Sequence, residues 1–576
     1  MAFISDPHPG RRRSVALLAA MLFSQLLFAQ AENVPSRHPV YIFLKRMEVK
    51  RVIERYHDAV LPLSRREVSS FLDSADRKRA ELSTAEQGWL DDYLSEFQYD
   101  RSGTTKGFAY LFGHADSTES GGIAGEISNR EKFLYAYTDS NVSLFTNGLL
   151  DLDARYIQGD TLGKTGSQYL QFGGRARGSV WGSLGYYIQW TNAQFWGSRE
   201  LLALDPEISQ SYALGTGNAQ NFDFVEGYIR YDSRIVSAQI GRERVLWGTG
   251  YNEKLTLSDN PRVFDFIRLD ASYKALKYTF MHGWLMGRRS VLPFTLPGDT
   301  STVYLEPTAA DKYFAAHRLE LSFPSVLDVG FQEMVIYSNR APDLAYLNPL
   351  TAIESAQRSR GERDNVFWAF DLQTHFISGL ELSASFMFDD INVPDLFSDS
   401  WTNRFGWQAG LFYTDVFFIP NTSLMVEYCR IMPYVFSHGR SREGSYTSLN
   451  NLLGPRIGPN ADSWFVRGDY LPLRNLMFSL GVTWERKGEN IVDDLGTLIQ
   501  NVGGDEFQPH RDSDPETRVF LDGKLIKRQK VHLRVSWQCV NQIYLDGVFQ
   551  YDAAETVSTG ERNENSQAAL HLKMEF

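Results

Sequence analysis

The strongest constraint in this chain is a change of hydrophobic period from 3.6 to 2 near residue 107, kept up to the last residue. Leu150, Leu152, Ala154 and Tyr156 alternate with Asp151, Asp153 and Arg155. Trp368, Phe370 and Leu372 alternate with Ala369, Asp371 and Gln373. Leu476, Phe478, Leu480, Val482 and Trp484 alternate with Met477, Ser479, Gly481, Thr483 and Glu485. Val531, Leu533, Val535 and Trp537 alternate with His532, Arg534, Ser536 and Gln538. Such runs approach the ~9–11 residues with which a tilted strand crosses a bilayer. Strands of this kind escape hydropathy scans because half their residues are polar, which agrees with a mean hydropathy of −0.31. An aromatic share of 14% excludes a disordered chain, which cannot bury a core.

Both ends of the chain point to export. Arg11, Arg12 and Arg13 precede the apolar run Val15 to Phe28, followed by Ala29-Gln30-Ala31. A basic region, a short apolar region and a small-x-small site read as a secretory signal peptide, 1–31. The apolar run is too short for a spanning helix. At the other end Leu570, Leu572, Met574 and Phe576 alternate with His571, Lys573 and Glu575. A terminal amphipathic strand closing on Phe576 resembles the signal read by bacterial barrel-insertion machinery, an expected partner together with outer-membrane lipid. The fold expected over residues 101–576 is an all-β transmembrane barrel in the bacterial outer membrane. At roughly 26 residues per strand and its share of loops, this gives about 18 antiparallel strands. Five stretches do not alternate: Asn192–Ala219, Leu292–Lys312, Ala341–Gly361, His438–Ala461 and Val492–Thr517. They are candidates for outer loops or for lumen filling.

Residues 32–100 have helical texture and predict a small three-helix domain in the periplasm. Val40 to Arg55 carries Tyr41, Leu44, Met47 and Val52 near helical spacing. Ser64-Arg65-Arg66-Glu67 and Ser83-Thr84-Ala85-Glu86 each match a capping box, in which the Ser oxygen takes the amide three residues on. Val68, Phe71 and Leu72 form the stripe of the second helix; Trp89, Leu90, Tyr93, Leu94 and Phe97 form that of the third. An aromatic helix, a loop and Pro62-Leu63-Ser64-Arg65-Arg66-Glu67 resemble half an S-layer-homology module, which implies a cell-wall polymer as partner. The bland reading is a packing domain under the barrel.

Composition and motifs narrow the chemistry. A net charge of −12 with no basic block speaks against nucleic acid. Two cysteines allow neither a disulfide scaffold nor a Cys-based zinc module. There is no G-x-S-x-G, H-E-x-x-H or Walker loop, and the histidines form no metal-spaced pair, so no catalysis, cofactor or metal is expected. Asp389-Asp390 could activate water on a loop, and with Asn392 and Asp395 could offer oxygens to Ca²⁺, but no established ligand spacing is met. The bland reading is a solvated loop start.

One series of strings carries a family likeness. Gly241 to Pro261 reads Gly-Arg-Glu-Arg-Val-Leu-Trp-Gly-Thr-Gly-Tyr-Asn-Glu-Lys-Leu-Thr-Leu-Ser-Asp-Asn-Pro. Tyr346-Leu347-Asn348-Pro349-Leu350, Asp364-Asn365, Phe388-Asp389-Asp390-Ile391, Glu427-Tyr428 and Pro433-Tyr434 follow. Leu453-Gly454-Pro455 and Gly458-Pro459-Asn460-Ala461-Asp462 complete the series. In this order, over roughly Arg230 to Asp469, they resemble the capsule-assembly Wzi family of outer-membrane proteins. The resemblance implies an 18-stranded barrel that acts as a surface lectin and helps hold capsular polysaccharide on the cell. The alternative is a passive porin with an open, charge-ringed lumen.

Sugars are held by flat apolar rings and by paired polar groups at hydroxyls. Trp247, Tyr251, Asn252, Asp259 and Asn260 fall where alternation is lost, so a rim or the lumen is expected for them. With Asn348, Asp364, Asn365, Asp389 and Asp390, the first four make up the candidate polysaccharide-binding set. Their bland alternatives are girdle aromatics and turn-forming Asx residues. Arg242 and Arg244 could meet an acidic polymer, yet in strand phase they would point outward. Cys429 falls on the polar face of its strand and Cys539 on the lipid face, so no disulfide is expected.

Overall fold

The computed structural model describes residues 30–112, 130–211, 221–295, 303–359, 361, 363–389, 394, 398–439 and 442–576, with side chains given outside 289–309. The signal segment up to residue 29, Asp390, Asn392 and Asp395 lie outside the described residues.

Eighteen antiparallel strands close into a barrel. The first six are β1 (Ser143–Gly159), β2 (Gly163–Val180), β3 (Leu184–Gly197), β4 (Asn221–Asp232), β5 (Val236–Glu243) and β6 (Phe264–Tyr273). Next come β7 (Leu276–Thr295), β8 (Val303–Phe323), β9 (Leu327–Ser338), β10 (Asn365–Thr374), β11 (Leu380–Asp389) and β12 (Phe405–Thr414). The last six are β13 (Thr422–Ile431), β14 (Ala461–Leu473), β15 (Leu476–Glu489), β16 (Lys524–Val540), β17 (Ile543–Thr556) and β18 (Glu561–Glu575). Each strand pairs with its neighbours in sequence, and β18 closes on β1 with Leu570 opposite Ala154. Phe576 ends this seam: its amide donates to the Gly148 carbonyl at 2.9 Å. The short strand Tyr135–Thr138 then takes over the same edge of β1, so no length of that edge stays unpaired.

The alternation read from sequence sets the two faces. Phe370, Leu480, Leu533 and Leu570 stand exposed on the outer wall, while Asp153, Asp371, Gln373 and Ser479 are buried on the lumen side. A row of rings, Trp407, Tyr428 and Trp464, packs in tilted contact across β12–β14 on the outer face at centroid distances of 4.9 and 4.8 Å. Membrane barrels carry such aromatic girdles at the lipid interfaces.

The connections divide the barrel into two ends. At one end the turns are short, as at Lys274–Ala275, Arg474–Asn475 and Asn541–Gln542. At the other they are mostly long, as at 198–220, 244–263, 339–364, 432–460 and 490–523. The stretch Leu292–Lys312, expected to be a loop, is instead mainly the paired ends of β7 and β8, with Thr295 opposite Val303. The two strands support each other's ladder there, which alternation within one strand does not report. Asn192–Ala219 likewise begins as β3 and turns into short helices only at Arg199.

Three helices sit in the short-turn end: α1 (Val40–Val49), α2 (Arg65–Arg77) and α3 (Thr84–Glu96). Both capping boxes form, Ser64 with Glu67 and Ser83 with Glu86. α1 stops six residues before the expected Arg55, because Arg51, Arg55 and His57 adopt left-handed φ of 61°, 57° and 50°. Nine of its ten residues are buried, including Lys45, Arg46 and Glu48. The reason is that α1 packs on two sides: Phe43, Leu44 and Met47 join the core made with Val68, Leu72, Leu90 and Phe97. Its charged side meets the barrel. Lys45 Nζ contacts Glu381 of β11 at 2.7 Å, and Arg46 reaches Asp415, Ser423 and the Thr422 carbonyl.

Candidate functional site

The long segment after β5 folds into the lumen. Leu246–Trp247 pairs as a two-residue ladder with Val60–Leu61 of the helical unit, and the Gly248 amide donates to the Ala59 carbonyl at 2.8 Å. Just beyond, the amides of Tyr251, Asn252 and Glu253 converge on the Glu427 carboxylate of β13. Three consecutive N–H groups around one carboxylate form a backbone nest that fixes the loop to the wall. The Tyr251 hydroxyl donates to Glu381 Oε1 at 2.8 Å. Thus Glu381 holds both the helical unit and the loop.

The segment after β13 braids with this loop. Tyr446 donates to the Thr256 carbonyl, Ser258 Oγ to the Gly454 carbonyl and Asn260 Nδ2 to the Leu452 carbonyl, at 2.7, 2.8 and 2.9 Å. Trp247, Leu255, Leu257, Tyr446, Leu452 and Leu453 form one apolar core with wall residues from β6 to β14. Half of the barrel is filled in this way.

These contacts place most of the sequence candidates. Trp247 is fully buried and presents no ring face to a ligand. Tyr251 and Asn252 belong to the lumenal strap just described. Asp364 takes both guanidinium nitrogens of Arg340 and the Tyr346 hydroxyl, and Asn365 donates to the Gly444 carbonyl. Asp389 is buried and accepts from the Phe436 amide. Asn348 lies on an exposed Asx turn, bonded to the Leu350 amide at 3.1 Å. Asp259 is half-buried and ion-paired at 2.7 Å with Arg456. The structure therefore brings together Trp247, Tyr251 and Asn252, and leaves Asn348 and the Asp364–Asn365 pair elsewhere. It also separates the two arginines. Arg242 stays in phase and pairs with Asp265 on the outer face, whereas β5 ends at Glu243 and Arg244 turns inward to Glu207 at 2.8 Å.

The open half of the lumen faces the wall from β14 through β18 to β2. A cavity of about 880 Å³ lies there at the long-loop end. It is lined by Glu485, Lys487 and Glu489 of β15, Arg528 and Lys530 of β16, Gln550 and Asp552 of β17, and Asn565 and Gln567 of β18. Arg155 of β1, the segment Leu201–Pro206 and Arg456 complete it. Five inward-facing cations meet four carboxylates, so the lining carries net positive charge within a chain of net charge −12. Lys530–Glu485 at 2.9 Å and Arg155–Asp205 at 3.1 Å hold several of them in place. Such pairs offer donors and acceptors together, which is what sugar hydroxyls and acidic substituents require. None of these lining residues belongs to the candidate set. Their signal in sequence is inward-phase charge near the same end of three successive strands.

Electrostatics tie the filled half to the cavity. Burial pushes the Glu253 carboxyl up to about 7, against the pull of Arg456. Burial acts on Asp259 in the same sense, but Arg456, Arg244 and Arg37 outweigh it and hold that carboxyl below the usual range. Arg456 lies 3.3 Å from Glu253 and 2.7 Å from Asp259, so it joins loop and cavity.

One solved structure shares this architecture. The chain is similar to Escherichia coli Wzi, described as an outer membrane protein involved in group 1 capsule assembly and a carbohydrate-binding β-barrel, with 11% identity and a TM-score of 0.55. That match covers 94% of this chain and 99% of the other. The Pseudomonas aeruginosa outer membrane protein OpdK matches over 75% of this chain and 98% of its own, with 11% identity and a TM-score of 0.42. No curated protein matches the chain. The family model for the capsule assembly protein Wzi matches residues 154–557, well over half of the chain. The chain belongs to the Wzi family of capsule assembly proteins.

Proposed function

We propose that this protein binds capsular or other surface polysaccharide at the long-loop end of the barrel and helps to retain or assemble it there, without turnover. The observation that carries this reading is the basic cavity on the open half of the lumen. Short turns face the periplasm and long loops the exterior in membrane barrels of this type. On that orientation the cavity opens to the cell surface and α1–α3 close the periplasmic end. A repetitive polymer touching such sites on many barrels converts weak contacts into avidity. The family membership and the carbohydrate binding stated for Escherichia coli Wzi support the same reading.

The porin alternative needs an open lumen. Among the described residues the helical unit closes its short-turn end and the two braided loops fill half of it. The string that resembles an S-layer-homology module serves local structure: Ser64 and Glu67 cap α2, Arg65 pairs with Asp100 and Arg66 with Asp232 of β4. We assign the helical unit to closing the barrel; a cell-wall polymer would have to use its outward faces. Phe576, last in the β18–β1 seam, is assigned to recognition by insertion machinery.

Deleting the gene tests the reading. Polymer synthesis and export should continue, with less polymer on the cell and more in the medium. Unchanged cell-bound polysaccharide with a new defect in small-solute uptake would favour the porin.

A further inference from the structure

A second, deeper chamber of about 350 Å³ adjoins the outer cavity. The segment Leu201–Ile208 separates the two, and Asp205 lines both. The chamber wall is built from β1–β4, with Asp151, Tyr169, Gln171, Tyr187 and Gln189 facing in. Pro35, Ser36 and Arg37 of the helical unit bound it towards the short-turn end. A polymer could not pass straight through; a chain end could stop there.

The lining suits an uncharged sugar. Tyr187 is fixed by parallel stacking on Tyr228, at 5.3 Å and 5°, and its hydroxyl donates to Gln189 at 2.8 Å. The cations are already engaged. Arg175 binds Glu575 and Gln189, Lys573 lies 2.9 Å from the same Glu575, and Arg37 and Arg244 share Glu207. By contrast Asp151 Oδ1 is buried and accepts no hydrogen bond. A spare carboxylate acceptor beside neutralised guanidinium groups favours hydroxyl donors over anions. The volume lies at the low end of small-ligand pockets, about 300–1,000 Å³, which suits one or two sugar units.

Resting on the polysaccharide-binding reading above, we infer that this chamber is a subsite for the uncharged terminal one or two sugars of a polysaccharide chain whose acidic body lies in the outer cavity. The chain end enters past Leu201–Ile208, where the Arg155–Asp205 pair parts. Arg155 keeps Asp153 as a partner at 2.7 Å, so its charge stays compensated when Asp205 moves.

The test uses the full-length barrel in detergent, with the producing cell's capsular polysaccharide and the di- and trisaccharides from its partial acid hydrolysis. Gln171→Trp fills the chamber, and Asp151→Asn removes the charge and replaces one acceptor oxygen by an amide donor with little change of shape. Heat-modifiable gel migration reports that each variant is a closed barrel. Titration should show fragment affinity reduced about tenfold or more in Gln171→Trp and less steeply in Asp151→Asn, with polymer binding changed less than about threefold. Saturation-transfer spectra of bound fragments should be strongest at terminal-residue protons and weaken in Asp151→Asn, which keeps the test decisive if Gln171→Trp does not fold. Fragments that bind both variants like the wild type overturn the subsite. Polymer binding without fragment binding to the wild type also overturns it while sparing the outer cavity. Failure of both probes to bind the wild type overturns the polysaccharide reading itself.

Discussion

Replacing Lys45 by Met should undock the helical unit from a barrel that stays closed. The Lys45 ammonium lies 2.9 Å from Glu48, 2.9 Å from Asp58 and 2.7 Å from Glu381. Burial alone would push its pKa down, but Asp58, Glu381 and Glu48 hold it well above the ordinary lysine value. Met keeps the stem and removes the one charge that all three carboxylates share. Breaking a buried ion pair by removing one partner costs about 3–5 kcal/mol, because the other charge stays behind uncompensated. At 1.4 kcal/mol per decade this is roughly two to three and a half orders of magnitude in the docking equilibrium. Protonation can relieve part of that cost. Burial already raises the Glu48 carboxyl to about 8 with Lys45 in place. A carboxyl raised in the folded state contributes stability that is fully present below its unfolded pKa near 4.5 and is lost as pH rises through about 8. Undocking should therefore be slight at pH 5 and pronounced at pH 9. Trypsin cleavage after Lys50, Arg51 and Arg55 in the detergent-solubilised barrel reads the undocked population when docking is fast relative to cleavage. Lys45→Arg should cleave like the wild type. Wild-type cleavage of Lys45→Met at pH 9 would refute the assignment of the Lys45 cluster as the tie between helix and wall.

Three shorter predictions follow from the wall and the loops. Leu480→Arg or Leu533→Arg should cost about 2–4 kcal/mol in a reversible folding titration into lipid, whereas Ser479→Asn on the lumen face should be tolerated; equal costs would reject the facing. Cys429, buried, and Cys539, at the β16 register shift, are free thiols, and non-reducing mass spectrometry should show no link between them. The Glu253 carboxyl, raised to about 7, favours the packed loop below its unfolded pKa near 4.5, and this support is lost as pH rises through 7. Hydrogen exchange of the 244–263 loop should accordingly rise between pH 5 and 9, after correction for intrinsic rates, and Glu253→Gln should flatten that rise.

Much of the wall was legible in the sequence because a strand's facing depends only on its own alternation. Leu150 to Tyr156, Trp368 to Gln373 and Leu476 to Glu485 all face as their pattern says. The caps at Ser64 and Ser83 are equally local. The lumen was not legible in the same way. Trp247 was expected at a rim or in the lumen with its ring open to sugar, yet it is buried because residues 432–460, some two hundred positions later, close over it. Arg244 turned inward because β5 stops one residue earlier, a boundary that its periodicity does not mark. The outer cavity escaped for a related reason. Glu485, Lys487, Arg528, Lys530 and Asp552 read individually as ordinary lumen-phase charges. They become a site because the inward-folding loops fill the opposite half and leave this wall uncovered. That is a property of loop packing across the barrel, not of any one segment.

The most direct test of polysaccharide binding at the outer cavity is titration of the purified barrel with the cell's capsular polysaccharide, comparing wild type with Arg528→Glu/Lys530→Glu. Both side chains line the cavity and neither joins the loop core. The account predicts saturable wild-type binding that weakens as salt rises and falls more than about tenfold in the double variant, since two cations become two repelling anions. Equal binding by both proteins, or no wild-type binding together with steady conductance in planar bilayers, would contradict it.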